Sequence, residues 1–91
     1  MRVFLIAGEA SGDKLGAALM AGLKSLEDVQ FQGVGGLLMQ AEGMNSLFDM
    51  DELSVMGLAE IIPKYPHLRR RLHQTARAVL EARPDVLITI D

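Results

Sequence analysis

The sequence predicts an α/β fold built on a mostly parallel sheet. Residues 2–7 and 85–91 are largely apolar runs of strand length, which is typical of strands buried on both faces. Segments with apolar residues at helical spacing separate them. Alternating strands and helices favour parallel strands joined by right-handed crossovers. The chain has 91 residues, 49% of them hydrophobic, so we expect one small domain or part of a larger one.

The first half of the chain contains two predicted strands and two predicted helices. Residues 2–7 form the first strand, and helical spacing runs from 13 to 26. Ser11 or Asp13 can cap this helix. Residues 29–34 alternate as in a strand, and residues 37–42 form a short helix that Gly43 closes. Residues 46–48 are a candidate short strand. The predicted buried stripe of the first helix is Leu15, Leu19, Gly22, Leu23 and Leu26.

The second half contains two predicted helices and a final strand. Residues 52–62 have a helical pattern, which Pro63 and Pro66 are expected to interrupt. A longer helix is predicted from 66 to 82, ended by Arg83 and Pro84. The final strand, residues 85–91, needs a further helix to cover it, so we expect a truncated α/β domain. The predicted buried stripe of the long helix is Leu68, Leu72, Ala76, Val79 and Leu80.

The composition excludes several classes of protein. The chain has no cysteine, which rules out a disulfide scaffold and a Cys-based metal site. A net charge of −3 gives no general case for nucleic-acid binding. The N-terminal apolar run stops at Gly8, too early for a signal peptide, and no stretch is long enough to span a bilayer. We expect a soluble or peripheral protein of the cytoplasm.

The segment from Gly8 to Asp13 is the first candidate site. It lies between a strand and a helix, where open α/β sheets place their ligands. It departs from the G-x-G-x-x-G fingerprint, although Gly8 and Gly12 still permit a close approach of ligand to backbone. Glu9 can bind sugar hydroxyls or act as a general base. The alternative is that Glu9 and Asp13 only cap the helix.

Asp91 is the second candidate, because it ends a strand at the same edge of the sheet as Glu9. Two carboxylates at a ligand edge resemble an acid/base or hydroxyl-binding pair, although an aspartate that starts a turn is also common.

Asp49 and Asp51 form a D-x-D pattern, which is better explained as acids near a helix start. We therefore predict no metal site. The two histidines, at 67 and 73, have no evident carboxylate partner and are assigned to the surface.

Several motifs together resemble the lipid-A-disaccharide synthase family. They are Ala7-Gly8-Glu9-Ala10-Ser11-Gly12-Asp13 with Gly16, then Gly33-Val34-Gly35-Gly36 with Met39-Gln40-Ala41 and Gly43, then residues 50–57, and finally Arg83-Pro84-Asp85-Val86 with Ile90-Asp91. The resemblance covers the whole chain in order. One departure is Leu37-Leu38, where the family usually has Pro-Arg, which removes a possible anion contact.

The resemblance implies the N-terminal part of a two-domain GT-B-type glycosyltransferase with Rossmann-like halves. Residues 1–91 would be an incomplete acceptor-side domain, without the donor-binding C-terminal domain, and inactive alone. The family transfers 2,3-diacylglucosamine from UDP to 2,3-diacylglucosamine 1-phosphate, with inversion and without a cofactor. Asp91 and Glu9 are then the catalytic candidates. The substrate-binding candidates are Gly8, Ser11, Gly12, Asp13, Gly35 and Gly36.

The resemblance also changes the interpretation of the apolar segment 55–68 and its basic flank. From the residues alone, a core helix followed by a solvated face is favoured. Substrates that carry acyl chains favour docking on the anionic cytoplasmic face of the inner membrane. The resemblance also allows a homodimer of the full-length protein. The membrane-docking candidates are Met56, Leu58, Ile61, Ile62, Tyr65, Leu68, Arg69 and Arg70.

Two alternative functions remain at this point. One is another UDP-sugar enzyme of similar architecture, such as an epimerase. The other is a flavodoxin-like binding module without enzymatic activity. A second domain beyond Asp91 would exclude the module, and an assay with UDP-diacylglucosamine would separate the two enzymes.

Overall fold

The computed structural model describes residues 1–53 and 58–90, with side chains described up to residue 53 and from residue 66. Strands and helices alternate, as the sequence predicts. In chain order the elements are β1 (Arg2–Ala7), α1 (Ala10–Leu26), β2 (Gln30–Val34), α2 (Leu37–Ala41), a 3₁₀ turn (Met50–Leu53), α3 (Leu58–Ala82) and β3 (Val86–Ile90).

The described strands form one parallel sheet in the order β2-β1-β3, which confirms the predicted parallel α/β class. β1 is central and almost fully buried, as its continuous apolar run requires. The carboxylate of Asp85 accepts the Arg2 N–H at 2.7 Å, which aligns the start of β3 with β1. At the other end, Ala7 pairs with Ile90. β1 and β3 therefore end level with each other.

The core lies between the sheet and helices α1 and α2. Alternate residues of β1, namely Val3, Leu5 and Ala7, belong to one buried cluster that also contains four methionines. Methionine is flexible and fills irregular gaps, which suits a core between helices of unequal length. Phe4 lies on the opposite face of the sheet, where it lines a groove with residues of α3. The methionines of the core are Met20, Met39, Met44 and Met50.

Helix α1 differs from its prediction in its start, its cap and its buried face. It begins at Ala10, so the loop after β1 is only Gly8-Glu9, and neither Ser11 nor Asp13 caps it with a side chain. Its buried residues are Gly12, Asp13, Gly16 and Met20, whereas Leu15 is 64% exposed. The spacing of the leucines predicts a buried leucine stripe, which is wrong for Leu15. The helix packs in part through glycines, which permit a closer approach.

Gly12 and Gly16 set the distance between α1 and its neighbours. A Cβ atom on Gly12 would lie 3.3 Å from Ile90 Cγ2, and one on Gly16 would lie 2.7 Å from the Met39 sulfur. A side chain at Gly12 would require Ile90 to shift slightly, and one at Gly16 would displace the flexible end of the Met39 side chain within a close-packed core.

Two predictions for the middle of the chain are wrong. The expected strand at 46–48 is a single bridge between Ser46 and Gly33. Helix α3 runs continuously from Leu58 to Ala82 through Pro63 and Pro66. Each proline removes one backbone hydrogen bond, but a helix of 25 residues keeps the rest of its ladder.

The C-terminal end of α3 follows the prediction, whereas its buried face does so only in part. Arg83 adopts a left-handed conformation with φ 48° and donates to the Val79 carbonyl at 3.2 Å, and Pro84 follows. Leu72, Ala76 and Leu80 are exposed, contrary to the predicted stripe, whereas Leu68 and Val79 are half-buried. From residue 66 onward, Thr75 is the buried residue of this helix. Its least exposed face from residue 66 onward also includes Arg71, Ala78 and Ala82.

We predict that Gly33→Ala destabilises the protein by more than about 2 kcal/mol. Gly33 has φ 146°, and a Cβ atom there would overlap the carbonyl oxygen of Leu5, its partner in β1. Gly22→Ala is the control, because a Cβ atom on that helical glycine meets nothing within 4 Å. This control should raise stability by about 0.5–1 kcal/mol. Urea unfolding measures both, and equal unfolding midpoints for the two variants would contradict the prediction.

Candidate functional site

The candidate site lies at the carboxyl edge of the sheet, beyond the paired residues Ala7 and Ile90. This is the edge at which parallel α/β sheets bind ligands, and the order β2-β1-β3 places chain connections on both sides of β1. The loop Gly8-Glu9 leaves the sheet here. Asp91, the predicted catalytic partner of Glu9, lies outside the described residues.

Glu9 presents an exposed side chain at this edge. It is the N-cap residue of α1, with extended backbone (φ −144°, ψ 162°), and its side chain makes no capping hydrogen bond. Its carbonyl accepts the N–H of Asp13 at 2.9 Å. Ser11, the second residue of α1, is also exposed. The structure therefore leaves the polar groups of both side chains accessible to a ligand.

The two glycines of the loop motif differ in their surroundings. Gly8 is half-buried, and a Cβ atom on it would lie at an ordinary 3.5 Å from Leu53. Gly12 is buried against Ala7 and Ile90. Gly12 therefore serves the packing of α1 on the sheet, whereas Gly8 lies beside the open edge.

Asp13 is buried, and its carboxylate is turned away from its own helix toward α2. Its Oδ1 accepts the N–H groups of Gly36 and Met39, both at 2.9 Å, and its Oδ2 accepts that of Leu38 at 3.0 Å. Gly36 is the N-cap residue of α2 and has no side chain to satisfy these donors. Asp13 thus caps a helix, as one interpretation of the sequence held, but the helix is α2 and not α1.

Gly35 and Gly36 have both of their N–H groups bonded within the protein. Gly35 donates to the Ser46 hydroxyl at 3.1 Å, and Gly36 donates to Asp13. The Gly35 carbonyl also accepts the Gln40 side-chain amide at 3.1 Å. A ligand that bound these amides would have to replace bonds that already exist.

An open cavity of about 830 Å³ lies beside these residues. Its walls are the first turn of α1, the segment 35–38 and the segment 46–51. Leu37 and Leu38 border it and are 81% and 50% exposed, and Asp49 and Asp51 supply carboxylates. Among the residues that the structure describes, those that line it include no lysine, arginine or histidine. Such a cavity suits hydroxyl groups and apolar groups better than phosphate.

Comparison with known proteins identifies the family. The family model for lipid-A-disaccharide synthetase matches residues 3–91. The chain belongs to the lipid-A-disaccharide synthase family. The lipid-A-disaccharide synthase of Ruegeria pomeroyi is 65% identical, that of Paramagnetospirillum magneticum 55%, and that of Pseudomonas aeruginosa 53%, each over all of this chain. The chain spans 23–24% of the length of these relatives.

The predicted membrane-docking residues of this family member are only partly described. Arg69 and Arg70 are exposed and Leu68 is half-buried. Met56 lies outside the described residues, as do the side chains of Leu58, Ile61, Ile62 and Tyr65. Over the described part of the chain, no helix is both long enough and apolar enough to cross a membrane. No three His, Asp or Glu residues among those described are grouped so as to hold a metal ion.

A cluster of charged side chains around Glu52 was not predicted from the sequence. The Glu52 carboxylate binds His67 Nε2 and the Arg71 guanidinium, whose Nη2 lies 3.1 Å away. Arg71 also lies over the Phe48 ring, 4.9 Å from its centroid. The assignment of no carboxylate partner to His67 is therefore wrong. Because these partners are 15 and 19 residues from Glu52, helical spacing within α3 gives no sign of them.

The surroundings of Glu52 lower the pKa of its carboxyl group below the usual 4.5. The hydrogen bond with His67 is the largest cause, partial burial opposes it, and Arg71 adds a hydrogen bond and a positive charge. The cluster joins the 3₁₀ turn, which borders the cavity, to α3. Its stability therefore affects the shape of the site.

We predict that Glu52→Gln removes a stabilisation that depends on pH. Because folding lowers the pKa of Glu52, its contribution is fully present above the usual value of 4.5 and is lost as the pH falls through the folded-state value. The difference in unfolding free energy between the wild type and the variant should therefore shrink below about pH 4.5. Urea unfolding over a pH series measures it, with the exposed Glu27→Gln as the control. A difference that is constant down to the acid limit would contradict this.

Proposed function

We propose that this chain is the N-terminal part of the acceptor-side domain of a lipid A glycosyltransferase. The observation that carries the proposal is the family match over residues 3–91. In the proposed reaction, 2,3-diacylglucosamine passes from UDP to 2,3-diacylglucosamine 1-phosphate. The products are a β-1,6-linked disaccharide 1-phosphate and UDP.

We propose that these residues form one half of a two-domain GT-B architecture. The relatives are about four times as long as the chain, which leaves ample length for a donor-binding domain. The edge strand β3 supports this, because Val86 and Leu87 are 41% and 49% exposed on it. An uncovered apolar edge strand is an uncommon feature of a complete domain.

The chemistry requires a base at the acceptor hydroxyl. The acceptor 6-oxygen forms a bond to the anomeric carbon of the donor, the bond from that carbon to the UDP oxygen breaks, and the electron pair leaves with UDP. The hydroxyl proton passes to a carboxylate. Attack from the face opposite UDP inverts the anomeric centre. We assign Asp91 as this base, since it follows Ile90 at the ligand edge, and Glu9 as a second carboxylate that binds the sugar hydroxyls.

We further propose that the protein works as a peripheral protein on the cytoplasmic face of the inner membrane. The acylated substrates lie in a bilayer. The apolar segment 55–68 carries a basic flank that includes the exposed Arg69 and Arg70. Such a segment suits an anionic bilayer surface. A homodimer of the full-length enzyme is compatible with this arrangement.

We predict that Asp91→Asn lowers kcat about 10²–10⁴-fold. The test uses a chimera in which residues 1–91 replace the matching quarter of the Ruegeria pomeroyi relative, assayed with both sugar substrates. Asp28→Asn is the matched control, because Asp28 is exposed and precedes β2 at the opposite edge of the sheet. Turnover within twofold of the parent chimera would reject Asp91 as the base. An inactive parent chimera would count against the proposed function itself.

We predict that the triple variant Ile61→Ser, Ile62→Ser, Leu68→Ser weakens binding of the same chimera to vesicles that contain anionic lipid. Loss of apolar contact area lowers the affinity for the bilayer interface. Leu26→Ser is the control, since Leu26 is exposed at the far end of α1. Vesicle sedimentation measures binding, and unchanged sedimentation of the triple variant would reject the docking surface.

A further inference from the structure

Asp13 differs from the other candidate site residues because both oxygens of its carboxylate accept hydrogen bonds within the protein, although the residue also lines the cavity. The side chain is buried, with 6% of the residue exposed. Among the described residues, only Asp13 and Thr75 combine a polar or charged side chain with this degree of burial. A buried carboxylate is costly unless its oxygens accept hydrogen bonds. Those bonds therefore indicate what the residue does.

All three bonds of Asp13 go to one short stretch of backbone. The donors are the N–H groups of Gly36, Leu38 and Met39, which are the N-cap, second and third positions of α2. An N-cap side chain normally accepts the N–H groups of the second and third positions, and Gly36 has no side chain to do so. Asp13 replaces that missing cap from α1, 23 residues earlier in the chain.

The backbone that Asp13 holds is also one wall of the cavity. Gly36, Leu37 and Leu38 line the cavity, and the two leucine side chains lie at its border. The amides of Gly36, Leu38 and Met39 are not open to a phosphate, because the carboxylate of Asp13 already accepts their hydrogen bonds. Asp49 and Asp51, which also line the cavity, would repel phosphate as well.

We propose that Asp13 is a positioning residue that fixes this wall, so that the cavity binds the uncharged, acylated face of the sugar acceptor. The inference rests on the proposed function for the identity of the acceptor. The carboxylate of Asp13 acts through the backbone at the start of α2. It holds Leu37 and Leu38 where they meet apolar substituents, while the carboxylates of Asp49 and Asp51 accept bonds from hydroxyl groups.

Two substitutions disturb this contact in different ways. Asp13→Asn exchanges one acceptor oxygen for an N–H₂ group that faces N–H donors. Gly36→Ala keeps the charge of Asp13, but its new Cβ atom would lie 2.6 Å from Oδ2 and so displaces the carboxylate. Their controls are Asp28→Asn, which removes an exposed carboxylate, and Gly22→Ala, whose Cβ atom meets nothing within 4 Å.

The test measures kinetics in the Ruegeria pomeroyi chimera and amide hydrogen exchange in the same protein. Asp13→Asn and Gly36→Ala should raise the acceptor KM at least about tenfold, leave the donor KM within about twofold, and speed exchange at Leu38 and Met39. The controls should change neither constant. If Asp13→Asn does not fold, Gly36→Ala alone decides the matter.

Three results would overturn the inference. The first is an acceptor KM within twofold of the parent in a folded variant. The second is an equal loss for donor and acceptor, which would show a general structural role. The third result comes from a competition experiment with an acceptor analogue that lacks the 1-phosphate. If Gly36→Ala lowers the affinity for the intact acceptor but not for this analogue, the wall contacts the phosphate. An inactive parent chimera would count against the proposed function. Hydrogen exchange would still test whether Asp13 holds the N–H groups at the start of α2.

Discussion

The hydrogen bonds of the buried Asp13 carboxylate are the interaction on which the cavity wall at the start of α2 depends. The carboxylate accepts three backbone N–H groups from the start of α2. Hydrogen bonds to a charged group contribute about 1.5–3 kcal/mol each, and a buried donor left without a partner costs about 1–3 kcal/mol. These values do not add, since the donors share one carboxylate. Even one such loss is a large fraction of the stability of a small domain.

The Asp13 contact depends on the close packing of α1 against its neighbours at two glycines. Gly12 approaches Ile90 of β3, and Gly16 approaches Met39 of α2. A helix held further away by larger residues would not bring the short aspartate side chain within bonding distance of the α2 amides. The glycines, Asp13 and the methionine core thus form one unit. A change at any of them is transmitted to the cavity wall, because a packed core resists local deformation.

The parts of the fold that were predictable depend on local patterns. The apolar run of β1 required a central strand, and Arg83-Pro84 marked the end of α3. The wrong predictions for α1, Asp13 and His67 share one cause, which is that contacts between distant elements leave no periodic pattern. Leucine spacing in α1 predicts a buried stripe, yet the buried residues of this helix are Gly12, Asp13, Gly16 and Met20. Asp13 and Glu52 were visible as acids, but their partners lie 15–26 residues away.

Contacts between distant elements also distinguish the two carboxylates of the loop motif, which the sequence alone could not distinguish. Glu9 and Asp13 are four residues apart, a spacing that places side chains on one face of a helix. Glu9, however, precedes the helix in extended conformation, and its side chain is exposed at the sheet edge, while Asp13 is buried within the first turn. A carboxylate that already accepts three internal bonds has little capacity to bind a substrate hydroxyl or to take its proton. Glu9, whose side chain accepts no hydrogen bond from the described residues, retains both capacities. The chemistry of the motif is therefore proposed for Glu9, together with Asp91, whereas Asp13 holds the start of α2.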